Sequence, residues 1–112
     1  MPRQVTLSPL AQSDIEDVLY WTRKHFGEIQ RRRYSALIQF ALRKLRASSS
    51  DVYLRARATI NPDARIFHLS CIGQRASHFF VLRILADDNL EIGRLLHDSM
   101  DLPGHLPEDY QP

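Results

Sequence analysis

Two amphipathic runs that meet at a single glycine constrain this chain more than any other feature. In SPLAQSDIEDVLYWTRKHFG the residues Leu10, Ile15, Val18, Leu19, Thr22 and Phe26 recur at three- and four-residue intervals, the spacing of one helix face. Ser8 stands as an N-cap ahead of Pro9, a residue suited to the first helical position. Beyond Gly27 the periodicity resumes at Glu28 and runs through Tyr34, Leu37, Ile38, Ala41, Leu42 and Leu45. Arg31, Arg32, Arg43, Lys44 and Arg46 fall mainly off that face. Helices joined so tightly must fold back as an antiparallel hairpin, and each apolar face then requires a partner layer.

The remaining sequence offers strands for that layer. QVTLS (4–8) alternates as a short half-buried strand does, and ARIFHLS (64–70), HFFVLRIL (78–85) and LEIGRLLH (90–97) are each bounded by turn formers. HFFVLRIL is almost continuously apolar and so predicts a central strand, joined to the next by a hairpin loop over 86–89. Residues 47–63 predict a long connection with one strand at its edge. The predicted fold class is α+β: a two-helix antiparallel hairpin packed on a small, mostly antiparallel sheet, with the first strand brought back into it. Asp98 to Leu106 predicts a turn or short helix against an end of the sheet. Residues 107–112 are expected to be a loose tail, and 1–112 a single domain.

Charge and cysteine content narrow the function classes. The net charge of +2 hides an uneven spread: residues 1–65 hold 12 basic and 6 acidic side chains, residues 66–112 hold 3 and 7. A basic front region meets either nucleic acid or an acidic protein surface. No apolar run is long enough to cross a bilayer, and MPRQVTLSPL lacks a secretory signal, so a cytoplasmic protein without membrane contact is expected. Cys71 is alone, and its spacing to His78, with His68, His97 and His105 elsewhere, matches no familiar metal-ligand pattern. Neither a metal nor another cofactor is expected.

Arg94 and His97 are the residues most able to carry chemistry. A guanidinium can hold a phosphate or carboxylate through two bonds, and a histidine can move a proton near neutral pH. On an unbroken strand Arg94 would point with Ile92 and Leu96, and His97 with Leu95, unless a bulge intervened. The structural alternative pairs Arg94 with an acid such as Asp98 or Asp101 and leaves His97 to cap the strand end. Arg83, inside HFFVLRIL, must find an acid, solvent or a polar groove, and can share a cationic patch with Arg94 if the two strands are neighbours. Arg55, Arg57 and Arg65 lie in or beside the irregular connection, where binding residues concentrate. For RRRY (31–34), solvated charge or a protein partner fits better than nucleic-acid reading.

Three separated blocks, LSPLAQSDIEDVLYWTRKHFG, HFFVLRIL with LEIGRLLH, and RLLHDSMDLPGHLP, resemble in order the RelE/ParE superfamily of bacterial toxin-antitoxin toxins, and its ParE branch in particular. The resemblance spans roughly residues 4 to 107. It implies a helical hairpin on a small antiparallel sheet, a cognate antitoxin that covers the toxin and carries the DNA contacts, and a toxin-antitoxin heterotetramer. Such proteins are often described as plasmid stabilisation proteins. The ParE branch implies poisoning of DNA gyrase; the RelE branch implies cutting of messenger RNA on the ribosome. A non-toxic interaction protein that keeps the fold is a third reading. By resemblance Arg94 and His97 occupy the R-x-L-H block, Asp101 its continuation, and Arg83 the end of the aromatic-rich strand, all as target- or antitoxin-binding positions. In a ribonuclease Arg83, Arg94 and His97 would be the catalytic set. Residues 47–80 contain neither lysine nor glutamate, which departs from the ribonuclease pattern.

Overall fold

The computed structural model describes residues 3–47, 55–56, 62–72 and 75–111. Ser8 has extended backbone (φ −67°, ψ 160°) and its Oγ accepts from the Ala11 N–H at 3.0 Å, opening α1 at Pro9–Phe26. Gly27 ends α1, its N–H donating to the Arg23 carbonyl at 2.9 Å, and its own carbonyl accepts from the Arg31 N–H at 3.1 Å. One residue thus terminates α1 and starts α2, Glu28–Ala47. Its φ of 92° lies where side chains with a Cβ are strained, which is why a glycine stands here.

Five strands form one sheet: β1 Val5–Leu7, β2 Arg55–Ala56, β3 Ala64–His68, β4 His78–Ile84 and β5 Leu90–His97, in the order β1-β5-β4-β3-β2. β1 runs parallel to β5, pairing Val5 with Leu90 and Leu7 with Ile92, and the other neighbours are antiparallel. The α+β class, the central place of HFFVLRIL and the edge strand within 47–63 are all as the sequence predicts. The rest of that connection, Arg57 included, lies outside the described residues.

Both faces of the sheet are covered. On one, Ala11, Leu37, Ile38, Ala41 and Leu45 of the helices close over Phe67, Phe80, Leu82, Leu90, Ile92 and Leu95. On the other, Ala64, Ile66, Phe79, Val81 and Leu96 pack with Tyr110, Leu102 and Leu106. This corrects two expectations. The segment after Asp98 lies across the second face instead of only an end of the sheet, and residues 107–110 are no loose tail. Tyr110 is 1% exposed, and its hydroxyl donates to the Glu91 carbonyl at 3.0 Å. Burial of so large a ring contributes about 1.5–3 kcal/mol, enough to hold a short chain end. Coverage on both sides also explains why β4 reads as a continuous apolar run.

β5 contains a bulge. Val81 pairs with Arg94 and Leu82 with Ile92, so Gly93 has no opposite residue. The extra residue resets the alternation: Leu90, Ile92 and Leu95 face the helices, while Leu96 faces the C-terminal segment. Arg94 therefore does not share a face with Ile92, as an unbroken strand would require.

Candidate functional site at the end of β5

β1 stops at Leu7, and from there α1 takes over the open edge of β5. The Ser8 N–H donates to the Ile92 carbonyl and the Ser8 hydroxyl to the Gly93 carbonyl, both at 2.9 Å. One turn on, Asp14 Oδ2 accepts the Leu95 N–H at 2.9 Å and the Arg94 Nε at 2.7 Å, while Asp14 Oδ1 accepts Arg94 Nη2 at 2.9 Å. Arg94 Nη1 donates to the His105 carbonyl at 3.0 Å. All three guanidinium nitrogens are occupied, and the hydrogen bonds that Arg94 donates to the Asp14 carboxylate hold its pKa above the ordinary value. The sequence signal for this partner is Asp14 itself, a carboxylate four residues from both Leu10 and Val18 on the apolar stripe of α1.

Arg83 is similarly engaged. Its Nε lies 3.1 Å from Glu91 Oε1 and its Nη2 3.8 Å from Asp109, with the guanidinium 5.5 Å from the centre of the Tyr110 ring. Burial, then the charge and hydrogen bond of Glu91, push the Tyr110 phenol well above its ordinary range. Arg83 and Arg94 do share a face on neighbouring strands, but carboxylates neutralise both, so no open cationic patch forms.

His97 lies on the helix side with Leu95. Its Nδ1 accepts from the Ser99 N–H at 3.0 Å and meets the Ser99 hydroxyl at 2.8 Å, an arrangement that closes the strand end. Across the pair, His78 sits 5.0 Å away ring to ring, with its Nδ1 2.5 Å from the Tyr34 hydroxyl of α2. Burial, helped by the facing His97, pushes His78 down to about 4 against the opposing pull of Asp98. His68 Nε2 contacts Asp98 Oδ1 at 2.8 Å, and its Nδ1 accepts from the Ser70 N–H at 3.1 Å. Sequence reasoning missed the pair of His78 and His97 on the helix side and His68 on the opposite face, stacked on Phe79; the signal lay in each closing or opening a strand. Among the described residues no group of three or more His, Cys, Asp or Glu could hold a metal ion.

The other candidates disperse. Arg65 Nη1 donates to the Pro62 and Ala64 carbonyls at 2.7 and 2.8 Å, pinning the turn into β3. The backbone of Arg55 pairs with Ile66 in β2. Asp101 is exposed, and its carbonyl accepts from His105 Nδ1 at 2.7 Å. Other cations gather at α2, where Arg33 and Arg43, with Arg75 from the loop before β4, border an open groove of about 630 Å³ floored by Tyr34, Leu37 and Phe40.

The family model of the ParE toxin of type II toxin-antitoxin systems (parDE) matches residues 5–102. The chain belongs to the ParE toxin family. That match takes in α1, α2, all five strands and the Arg94 site, and stops at Leu102, before the Tyr110 anchor. No curated protein sequence matches significantly. Among solved structures, a chain of the chromosomal ParDE toxin-antitoxin system from P. aeruginosa superposes with a TM-score of 0.69 at 14% identity, covering 85% of this chain and 95% of that one. At that identity the likeness is one of fold: a ParE-type hairpin on its sheet. In this ParE-family chain, no helix among the described residues is long and apolar enough to cross a membrane.

Proposed function

We propose that this ParE-family chain is the toxin of a type II toxin-antitoxin pair, that it poisons DNA gyrase in the cytoplasm, and that a cognate antitoxin neutralises it. The observation that carries the reading is the family match over residues 5–102, joined to the state of the residues a nuclease would need. Arg94 is bound by Asp14, Arg83 by Glu91, and His97 Nδ1 by Ser99. A phosphorane needs cations and a proton carrier aimed at it, and here these groups serve the sheet. A binding toxin needs no such centre; it needs a surface.

The antitoxin is expected to bring an acidic segment that orders on contact, because the basic residues are concentrated in the front of the chain. The deciding experiment adds purified toxin to gyrase, with and without the antitoxin, and reads supercoiling and trapped DNA breaks. Inhibition relieved by the antitoxin is expected. Unaltered supercoiling, together with new transcript ends after induction in cells, would replace this reading with ribosome-dependent cleavage of messenger RNA.

A further inference from the structure

The end of the helical hairpin carries an aromatic surface that the fold does not use. From Tyr20 to Arg33 only Thr22 is buried and only Arg31 is half-buried. Tyr20, Trp21, Phe26 and Ile29 are 57, 53, 64 and 72% exposed. Single exposed apolar side chains are ordinary, whereas four on adjoining turns mark a contact surface.

The patch is ordered in advance. His25 Nδ1 donates to the Trp21 carbonyl at 2.9 Å and its ring stacks on the indole at 4.2 Å, while Phe26 meets the indole edge-on at 5.6 Å. A tryptophan held in one pose loses little entropy on docking, which is the character of an interface anchor. Seven residues from Tyr20 to Phe26 span about 10 Å of helix, so the tip is a short projecting knob and not a trough.

Its rim has one sign. Residues 20–33 contain Arg23, Lys24, Arg31, Arg32 and Arg33 against the single acid Glu28, a net +4 in a chain whose total is +2. The rest of the molecule is therefore net acidic, and the tip stands out in the protein's field. Glu28 is already engaged by Arg31 and Arg32. A projecting, preordered, cation-rimmed aromatic knob fits a preformed apolar pocket rimmed by carboxylates. A disordered segment would instead follow a groove.

We infer that the Trp21 tip is the contact by which this toxin engages its folded target protein, inserting Trp21, Phe26 and Ile29 into an acid-rimmed apolar pocket. The inference rests on the gyrase reading above. Trp21 is the chain's one tryptophan, so 5-fluorotryptophan labelling places a single fluorine probe at the tip. Purified gyrase is expected to shift or broaden that resonance, less so as salt rises. Trp21→Ala and Phe26→Ser are expected to weaken inhibition of supercoiling at least tenfold, with antitoxin affinity and melting temperature retained. Should Trp21→Ala loosen the hairpin, the exposed pair Arg23→Glu and Lys24→Glu tests the same surface through its rim.

Wild-type toxin that leaves gyrase untouched would overturn the target reading and this assignment with it. Wild-type inhibition matched by the tip variants would overturn the assignment alone. Unimpaired inhibition with lost antitoxin affinity, or with lost self-association, would give the tip to the antitoxin or to a second copy. A fluorine shift produced by duplex DNA alone would give it to nucleic acid.

Discussion

Arg94 and Asp14 stand 80 residues apart in the chain and meet through two hydrogen bonds, at 2.7 and 2.9 Å. The same carboxylate accepts the Leu95 N–H, so the pair fastens α1 to the edge of β5 where β1 has ended. The side chains are 19% and 14% exposed, between the weak surface pair and the fully buried one. Arg94→Ala leaves a mostly buried carboxylate short of its cation, and is expected to lower stability by about 1–3 kcal/mol. Arg94→Glu should be worse. In urea denaturation, the Arg94→Ala/Asp14→Asn double variant should lose less than the sum of the singles. A charge reversal that folds like the wild type but fails to act on its target would instead make Arg94 an external contact.

A methyl group at Gly93 is expected to release the C-terminal segment. A Cβ built there would stand 2.5 Å from Tyr110 Cζ and 2.7 Å from its hydroxyl. Something must move, and overpacking of this kind costs about 1–3 kcal/mol. Gly93→Ala should lower the melting temperature and expose residues 107–111 to protease. In a Tyr110→Ala background the same substitution should be nearly neutral, because the ring it meets is gone.

What the sequence made legible is what depends on local pattern. The middle of each helix face, the Ser8 cap, the Gly27 junction and the limits of β5 follow from periodicity and turn chemistry, forces that act over a few residues. Leu10 and Phe26, read onto the apolar stripe of α1, are instead exposed, because its two ends run past the sheet core. Arg94 was readable as a residue that needs a partner, but not as one that needs Asp14, because that pairing depends on where β1 stops and α1 begins. The bulge at Gly93 has no sequence mark apart from a glycine in a strand. Tyr110 was missed for a related reason. Its burial depends on the second face of the sheet being open, which no pattern within PEDYQP reveals. Of the candidate site, Arg83, Arg94 and His97 do gather around β5, but as neutralised or capped groups, whereas Arg33 and Arg43 of α2 border an open groove together with Arg75.

Ser8 serves two elements at once. Its Oγ accepts the Ala11 N–H at 3.0 Å and donates to the Gly93 carbonyl at 2.9 Å. Ser8→Ala is expected to cost about 1–2 kcal/mol, at the upper part of the range for an N-cap, because a sheet-edge bond is lost with it. Ser8→Thr should retain most of the stability. Amide exchange at Ala11 should quicken in the alanine variant and much less in the threonine one. Equal exchange in both would mean that water replaces the hydroxyl without loss.

His78 is expected to make the fold acid-sensitive. Its folded pKa is pushed down to about 4 by burial and by the facing His97, whereas in the unfolded chain it titrates near 6.5. The unfolded state therefore binds the proton first as pH falls. The contribution is complete above pH 6.5, drains away between 6.5 and about 4, and is gone below that. The shift sets an upper size of about 3 kcal/mol, reduced by whatever solvent reaches the ring. Tyr34 is coupled to the same proton, since its hydroxyl meets His78 Nδ1 and can donate to it only while that nitrogen is unprotonated; once Nδ1 carries a proton the hydroxyl must turn to accept. Urea midpoints measured from pH 7.5 to 4 should fall for the wild type and fall less for His78→Gln, which keeps a polar partner for Tyr34 without a titrating ring. Parallel curves would move the acid sensitivity to carboxylates elsewhere and leave His78 as a packed, neutral ring.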